Sequence, residues 1–374
     1  MRVQQAHWAA VVRAAERRHA LVATTAVTPS SPPVTSDDAL AAWARPWPTW
    51  ARCVQCGRTT APLPIPPAAR PATGGGDAAF PHIPLRCAAH AGAPEGPPLR
   101  GFAVVPEAVP AAEAAALLAA ADRENGARWR PTGQRSYGAT GRMKQEFGPL
   151  RVRFNTRRLS LVGDADSAAT TFPPFLWPAM RRLSAMASAL PADLEMFDDD
   201  AAGAEATPPP PSPLPSGHRR AFVPAEASLL RYASANDDAG GGLDPHLDDA
   251  WAWGGRLAAL SLESPALMTF ARPRWPGDPP SPTPPAWNVL SPESGTGMAS
   301  ASASMVTVDV LLPPRSAWLL WGEARYEWLH GLAPGRGVRG RRTSLGVREL
   351  PAPLAARHQQ VAAVVAHAVA PIGL

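Results

Sequence analysis

The distribution of proline most constrains how this chain can fold, because proline removes a backbone donor and interrupts helices and central strands. The chain has 46 Pro and 30 Gly, and many of the Pro stand in a few runs. Such Ala/Pro/Ser/Gly tracts bury too little apolar surface to offset the entropy of ordering them. We therefore expect one globular domain with flexible additions, although the length alone would allow more than one domain.

Composition divides the chain into four regions. We predict a low-complexity N-terminal extension at 1–52, a Cys/His segment at 53–98, a folded domain at 99–351 and a C-terminal tail at 352–374. Pro-rich runs near 198–217 and 272–304 are expected to be disordered inserts within the folded domain.

Hydrophobic periodicity predicts two helices followed by a run of strands. The helices are expected from Pro110 to about Asp122 and over Pro174–Leu190. Strands are predicted at Phe102–Val105, Leu229–Tyr232, Leu257–Leu262, Leu267–Phe270, Val306–Leu312, Ala317–Trp321 and Thr343–Leu350. This order is typical of an α+β fold with mainly antiparallel sheets.

Charge and cysteine content narrow the class of protein. The net charge of +5 is compatible with a nucleic-acid partner and equally with an Arg-rich solvated surface. Three Cys are too few, and odd in number, for a disulfide-stapled secreted domain, which favours a reducing compartment. No apolar run reaches the roughly 20 residues that a membrane helix needs, so we expect no membrane partner.

The first 35 residues allow two interpretations. They carry several Arg and a single acidic residue, Glu16, a composition that resembles an organelle transit peptide. A plain disordered extension is the alternative that we favour.

The strongest chemical signal is the run Asp244-Pro245-His246-Leu247-Asp248-Asp249. Alternate residues of an extended segment point the same way, so His246 and Asp248 would face one site together. An imidazole and a carboxylate suit Fe(II), and one more His would complete a facial triad with open positions. His330, 84 residues after His246, is the candidate. Asp249 is an alternative carboxylate, but on a strand it would point away.

Two arginines raise the specificity of this pattern, since His-x-Asp alone occurs by chance in many proteins. Arg342 and Arg348 follow His330 and are six positions apart on a predicted strand, so both point to one face. A keto-diacid bound to iron needs a cation at its far carboxylate, and Arg provides a bidentate one.

The order His-x-Asp, distant His and Arg-x5-Arg resembles the AlkB family of Fe(II)/2-oxoglutarate-dependent dioxygenases, most closely its homologue 4 subfamily. The resemblance extends from about Gly101 to Leu350, apart from the Pro-rich inserts. It is carried by Asp244-Pro245-His246-Leu247-Asp248-Asp249-Ala250-Trp251-Ala252-Trp253-Gly254, by Gly141-Arg142-Met143-Lys144-Gln145-Glu146-Phe147-Gly148-Pro149, and by Gly322-Glu323-Ala324-Arg325-Tyr326-Glu327-Trp328-Leu329-His330.

The resemblance implies a double-stranded β-helix, or jelly-roll, core with flanking helices. It implies that His246, Asp248 and His330 bind Fe(II). It further implies that Arg342 holds the distal carboxylate of 2-oxoglutarate, that Arg348 lies beside this cosubstrate and that Tyr232 assists in binding it. Many relatives carry Asn two residues before this Tyr, where the chain has Leu230.

The implied reaction is oxidative N-demethylation with loss of formaldehyde. Subfamily analogy favours N6-methyladenine in DNA as the substrate, with methyl-lysine in a protein such as actin as the other candidate. The sequence leaves two alternatives open, a protein hydroxylase on the same iron site and a catalytically vestigial jelly-roll binding module. The resemblance also implies a cytoplasmic and nuclear location, and we expect a monomer.

A second metal site is suggested by Cys53-x2-Cys56 and Cys87-x2-His90, which have the spacing of zinc-ligand pairs. They use every Cys in the chain, and a loop can span the interval between the pairs. The alternative is two turns with incidental thiols.

A basic stretch is expected to contact phosphate or an acidic protein surface rather than remain a plain solvated loop. It comprises Arg142, Lys144, Arg151, Arg153, Arg157 and Arg158, with Phe147 and Phe154 interleaved. After the ligand run, Trp251 and Trp253 alternate with Ala, and we expect them to pack in the core rather than line the pocket.

Overall fold

The computed structural model of the chain describes residues 50–54, 56–61, 95–123, 129–132, 142–153, 158–162, 172–191, 220–232, 243–273, 277–279, 305–332, 338 and 341–374. Cys87, His90, the insert predicted near 198–217 and most of the insert predicted at 272–304 lie outside these residues.

A seven-stranded sheet, the major sheet, forms one half of the core. Its strands, in spatial order, are β3 (Phe102–Val105), β13 (Ser316–Trp321), β10 (Arg256–Glu263), β15 (Arg342–Glu349), β8 (Pro224–Tyr232), β5 (Arg142–Phe147) and β4 (Arg130–Pro131). Every neighbouring pair is antiparallel.

A six-stranded sheet, the minor sheet, forms the other half. Its strands, in spatial order, are β2 (Thr59–Thr60), β1 (Trp50–Arg52), β12 (Met305–Leu312), β11 (Ala266–Pro273), β14 (Leu329–Leu332) and β9 (Leu243–His246). All pairs are antiparallel except β1 with β12. Two further strands, β6 (Leu150–Arg153) and β7 (Arg158–Leu161), form a separate hairpin.

The chain alternates between the two sheets in a way that identifies a jelly roll. From β8 onwards, β8, β10, β13 and β15 lie in the major sheet, and β9, β11, β12 and β14 lie in the minor sheet. The predicted double-stranded β-helix is therefore confirmed, and the α+β class with it.

Helices cover the outer face of the major sheet. The described helices are α1 (Ala111–Arg123), α2 (Trp177–Ser188), α3 (Gly322–Tyr326), α4 (Ala352–Arg357) and α5 (Gln359–Val369), with short 3-10 turns at Pro174–Leu176 and Ala370–Ile372. Of these, α1, α2 and α5 contribute buried residues to the cluster on that face, whereas α3 connects β13 to β14 and places Ala324 in the cluster between the sheets. In α2, Met180, Leu183 and Ala187 follow the helical spacing, and all three are buried against the sheet. Within the described residues, no helix combines the length and hydropathy that crossing a membrane requires.

Successive side chains of β15 point to opposite faces of the major sheet, one towards the core beneath the helices and the other towards the candidate site. Leu345 and Val347 pack in the cluster beneath the helices. Arg342 and Arg348 occupy the alternate positions, so they face the interior between the two sheets. That interior is lined by a second apolar cluster, which includes Phe270, Val308 and Trp328.

The packed fold extends beyond the predicted limits of 99 and 351. Trp50–Arg52 pairs with Val308–Val310 of the minor sheet, although 1–52 was expected to be a low-complexity extension. At the other end, the expected tail forms α4 and α5, and Val369 and Ile372 join the core beneath the helices. Arg272, where an insert was expected to begin, is a buried residue of β11.

The basic stretch is not a plain solvated loop, the alternative that the sequence left open, because β5, β6 and β7 run through it. Charged residues hid the alternation that would have predicted these strands. In the structure, Arg151 donates to backbone carbonyls and Lys144 pairs with a carboxylate. This stretch completes one side of the major sheet through the β5–β8 pairing.

Candidate metal centre

Three side chains converge at the open end of the jelly roll. His246 is the last residue of β9, His330 lies on β14, and the two are directly paired across the minor sheet with ring centroids 4.5 Å apart. Asp248 follows β9, and its Oδ2 lies 3.5 Å from Nε2 of His330. One ligand atom from each of the three residues can be chosen so that all lie within 4.8 Å of one another.

The structure corrects one step in the sequence argument. His246 and Asp248 were expected on a single extended segment, but β9 ends at His246 and Asp248 lies in the following loop. Asp249, the alternative carboxylate, is not part of the converging group. It begins a turn, since its carbonyl accepts from the amides of Ala252 and Trp253 and its Oδ1 accepts from Nε1 of Trp251.

The donor set fits a divalent iron. Two imidazoles and one carboxylate from one side leave the other coordination positions open, which is the arrangement of non-haem Fe(II) oxygenases. Asp248 and His330 are buried and His246 is partly buried. Burying this group among apolar residues is costly unless a cation or further hydrogen bonds compensate it.

Arg348 holds the carboxylate of Asp248. Its Nη2 lies 3.3 Å from Oδ1 of Asp248, and its Nη1 donates to Glu226 at 2.8 Å and to Ser228 at 3.2 Å. Burial acts to raise the pKa of Asp248, but the charges of Arg348, His330 and His246 outweigh it and hold that pKa well below its usual range. Burial would likewise lower the pKa of Arg348, and Glu226 and Asp248 together reverse that effect and raise it. The pair is therefore ionised, and Asp248 is ready to bind a cation.

Arg342 and Tyr232 lie together farther along the same face. They are paired across β8 and β15, and the guanidinium carbon lies 5.1 Å from the centroid of the Tyr232 ring. Nε of Arg342 donates to the hydroxyl of Ser261 at 3.3 Å. Burial lowers the pKa of Arg342, while Tyr232 acts in the opposite direction.

Among the described residues, no carboxylate forms an ion pair with Arg342, which is only 2 % exposed. A buried guanidinium in that state favours an anionic ligand. The distal carboxylate of 2-oxoglutarate has the charge and planar geometry that such a guanidinium binds. Leu230, at the position of the Asn of many relatives, packs against the apolar cluster that contains Tyr232.

The Cys pair lies away from this centre, at the start of the described chain. Cys53 is buried directly after β1, and Cys56 is exposed in the turn that leads to β2. The turn is closed by hydrogen bonds from Gly57 N to Cys53 O at 2.9 Å and from Cys53 N to Arg58 O at 3.0 Å. Since Cys87 and His90 lie outside the described residues, the zinc site stays a prediction.

Most described members of the basic stretch already have local roles. Arg142 is buried and donates to the hydroxyl of Thr132, and Lys144 pairs with Glu146. Arg151 donates to the carbonyls of Gly148, Leu150 and Glu146. Arg153 is exposed, and Arg157 lies outside the described residues. The expectation that the whole stretch contacts phosphate is therefore wrong for Arg142.

Trp251 and Trp253 are buried in the apolar cluster between the sheets, which confirms their predicted place in the core.

Sequence reasoning missed Glu226 and Arg325. Glu226 is a buried charge in the first half of β8, and a buried charge of that kind signals a partner across the sheet. Arg325 lies in the motif that ends at His330, but nothing in its spacing revealed its contacts.

Comparison with known proteins gives relatives of one kind. No protein-family model matches the chain. The human protein "Alpha-ketoglutarate-dependent dioxygenase alkB homolog 4" is 29 % identical over 262 residues, which are 68 % of each chain. The Caenorhabditis elegans "DNA N6-methyl adenine demethylase" is 27 % identical over 128 residues, 34 % of this chain and 33 % of the worm protein. Among solved structures, OsALKBH1 matches with a TM-score of 0.38 and 14 % identity, over 67 % of this chain and 96 % of that chain.

Proposed function

We propose that this chain, which belongs to the AlkB family of Fe(II)/2-oxoglutarate-dependent dioxygenases, is an oxidative N-demethylase with His246, Asp248 and His330 as its iron ligands. The observation that carries the proposal is the convergence of these three side chains, with ligand atoms within 4.8 Å of one another. A facial triad of this composition suits iron oxygenases rather than structural metal sites, which are usually closed by four ligands.

The chain's own residues would bind and orient the reactants. Arg342 and Tyr232 would hold the distal carboxylate of 2-oxoglutarate, because their side chains form a buried cationic and hydroxyl pair. Arg348 would keep Asp248 ionised and in place. The apolar walls of the jelly roll would exclude bulk water from the site. When bound, Fe(II) with O2 and 2-oxoglutarate supplies the oxidising power that converts an N-methyl group to a hydroxymethyl group, which leaves as formaldehyde.

For the substrate we favour N6-methyladenine in DNA. The worm relative bears that activity in its name, and a net charge of +5 is compatible with a polyanionic partner. Methyl-lysine in a protein such as actin is the competing substrate.

A first experiment tests the cofactor site without a substrate. Anaerobic Fe(II) and 2-oxoglutarate are added to purified, metal-free protein, and the visible metal-to-ligand charge-transfer band is recorded. We expect the band in the wild type, and its loss in Asp248→Ala and Arg342→Ala. A folded wild type that gives no band would refute the dioxygenase site and favour a vestigial binding module.

A second experiment identifies the substrate class. Formaldehyde release is measured with a DNA strand containing N6-methyladenine and, separately, with trimethyl-lysine peptides and methylated actin. Release from the DNA alone supports the favoured substrate, whereas release from the protein substrates alone replaces it. Consumption of 2-oxoglutarate with a stable hydroxylated product and no formaldehyde would indicate a protein hydroxylase.

A further inference from the structure

The loop between β9 and β10 carries Asp248 but contains no helix or strand over 247–255. A ligand on such a loop needs support, because a binding constellation must be held to within a fraction of an ångström by its surroundings. Inside the loop, the turn that begins at Asp249 supplies two backbone hydrogen bonds. These bonds fix the shape of the turn, and after it the amide of Gly254 donates to the carbonyl of Glu349 on β15 at 2.8 Å.

The backbone of Asp248 itself is attached by Arg325 on α3. Its Nη1 donates to the peptide carbonyl of Asp248 at 2.5 Å, and its Nη2 lies 3.4 Å from the carbonyl of Trp253. The side chain is completely buried, with its guanidinium carbon 5.1 Å from the centroid of the Tyr326 ring. One guanidinium therefore contacts both ends of the loop segment that carries the aspartate.

The position of Arg325 also connects the two chain segments that carry Asp248 and His330. It lies five residues before His330, and α3 is the direct link between β13 and β14. The first turn of α3 is held in place, since the amide of Ala324 donates to the carbonyl of Arg100 at 2.9 Å. The segment that delivers His330 thus also holds the backbone of Asp248, while Arg348 holds the carboxylate of the same residue.

We infer that Arg325 is a positioning residue for the iron site, which sets the distance of Asp248 from His330 without touching the metal. This inference rests on the proposed function, because it assigns a role towards the same three ligands. Residues that orient metal ligands typically change metal affinity by about 10- to 100-fold when replaced. We expect an effect of that size from Arg325→Met, which keeps an unbranched apolar stem and removes the guanidinium donors.

Arg256 provides a matched control. It is also a buried arginine, 1 % exposed, and it also donates to backbone carbonyls, those of Ala187, Arg220 and Ala221. It pairs with Glu349, and none of these partners is a candidate ligand. Arg256→Met should therefore lower the stability of the fold while leaving the metal site intact.

The test is Mn²⁺ binding to metal-free protein without 2-oxoglutarate, followed by the electron paramagnetic resonance signal of free Mn²⁺. Thermal unfolding is measured on the same samples. We expect Mn²⁺ affinity to fall about 10- to 100-fold in Arg325→Met, less in Arg325→Lys, which can still donate to Asp248, and to stay within about twofold of wild type in Arg256→Met. Arg325→Lys also keeps the test informative if Arg325→Met does not fold.

Unchanged Mn²⁺ affinity in folded Arg325 variants, with normal binding by the wild type, would overturn the positioning role alone. An equal loss of affinity in Arg256→Met would do the same, because the effect would then follow stability. No Mn²⁺ binding by the folded wild type would overturn the iron site itself, and the role of Arg325 with it.

Discussion

At the scale of single residues, Asp248 is held from several directions at once. Arg348 contacts one carboxylate oxygen, His330 lies near the other, and Arg325 donates to the peptide carbonyl. Glu226 in turn fixes Arg348 from β8. This arrangement keeps the ligand ionised in a buried site, where burial alone would raise its pKa.

Arg342→Lys should raise the apparent KM for 2-oxoglutarate by about 10- to 100-fold, because lysine cannot form the paired hydrogen bonds that a guanidinium gives to a carboxylate. The measurement is the initial rate of succinate formation against 2-oxoglutarate concentration. Arg341→Lys is the neighbouring control, since its side chain is 60 % exposed and pairs with Glu263 at the surface. Equal KM values in the two variants would argue against Arg342 as the cosubstrate's cation.

Residue types and spacing were sufficient to find the side chains that converge at the candidate site. His246, Asp248 and His330 do converge, and Arg342 and Arg348 do share a face of β15. Glu226 and Arg325 could not be found in the same way, because their roles depend on partners far along the chain. Arg325 donates to backbone carbonyls, and because every residue has one, the sequence does not show which of them are its partners.

At the scale of elements, the end of β9 explains why one expectation failed. Period-two alternation applies only while a strand continues, and β9 is an edge strand that contains Pro245 and ends at His246. Asp248 reaches the site through a turn instead. The lengths of β8, β10 and β11 were underestimated for a related reason, since charged and small residues at their ends still pair across the sheet.

The hairpin of β1 and β2 places Cys53 and Cys56 on one turn, with Gly57 at φ 71°, where a side chain would be strained. We predict that purified protein carries zinc and that Cys53→Ser and Cys56→Ser each abolish it, measured by mass spectrometry of the metal content. Arg58→Ala, an exposed residue of the same turn, should retain the metal. Zinc-free protein with wild-type stability would show that the thiols are incidental.

The end of β15 is fixed by a buried ion pair. Glu349 accepts from Nε of Arg256 at 2.8 Å and from its Nη2 at 2.7 Å, and Arg220 adds a third contact at 3.1 Å. Glu349→Gln should lower the free energy of unfolding by about 3–5 kcal/mol, because it leaves the Arg256 charge buried without its counterion. Urea unfolding measures the change. Glu95→Gln, which breaks an exposed pair with Arg58, should change it by less than about 1 kcal/mol.

At the scale of the whole molecule, the two sheets and the helices that cover them form a fold larger than composition indicated. The proline runs near 198–217 and 272–304 lie mostly outside the described residues and stay predicted inserts. They could not reveal that β1 joins the minor sheet beside β12, because that contact joins residues more than 250 positions apart. Charge masked β5 in a similar way, since the strand that it pairs with, β8, lies about 80 positions later in the chain.

Trp50 provides the decisive test of this larger fold. It is 3 % exposed within the cluster between the sheets, and Gly96 approaches it so closely that an added Cβ would lie 2.4 Å from its ring. Trp50→Ala should lower the free energy of unfolding by about 3–5 kcal/mol, as truncating a buried aromatic residue does. Gly96→Ala should also destabilise, by about 1–3 kcal/mol, because the ring must shift in a packed core.

Both changes are measured by urea unfolding of the full chain, with Leu161→Ala as the control. Leu161 is 37 % exposed on β7, so its truncation should change stability by less than about 0.5 kcal/mol. If Trp50→Ala behaved like this control, the first strand would contribute little and the domain would begin near 99, as composition suggested. A large loss in both Trp50→Ala and Gly96→Ala would place the Cys hairpin on the jelly roll, where a bound zinc would stabilise the edge of the minor sheet.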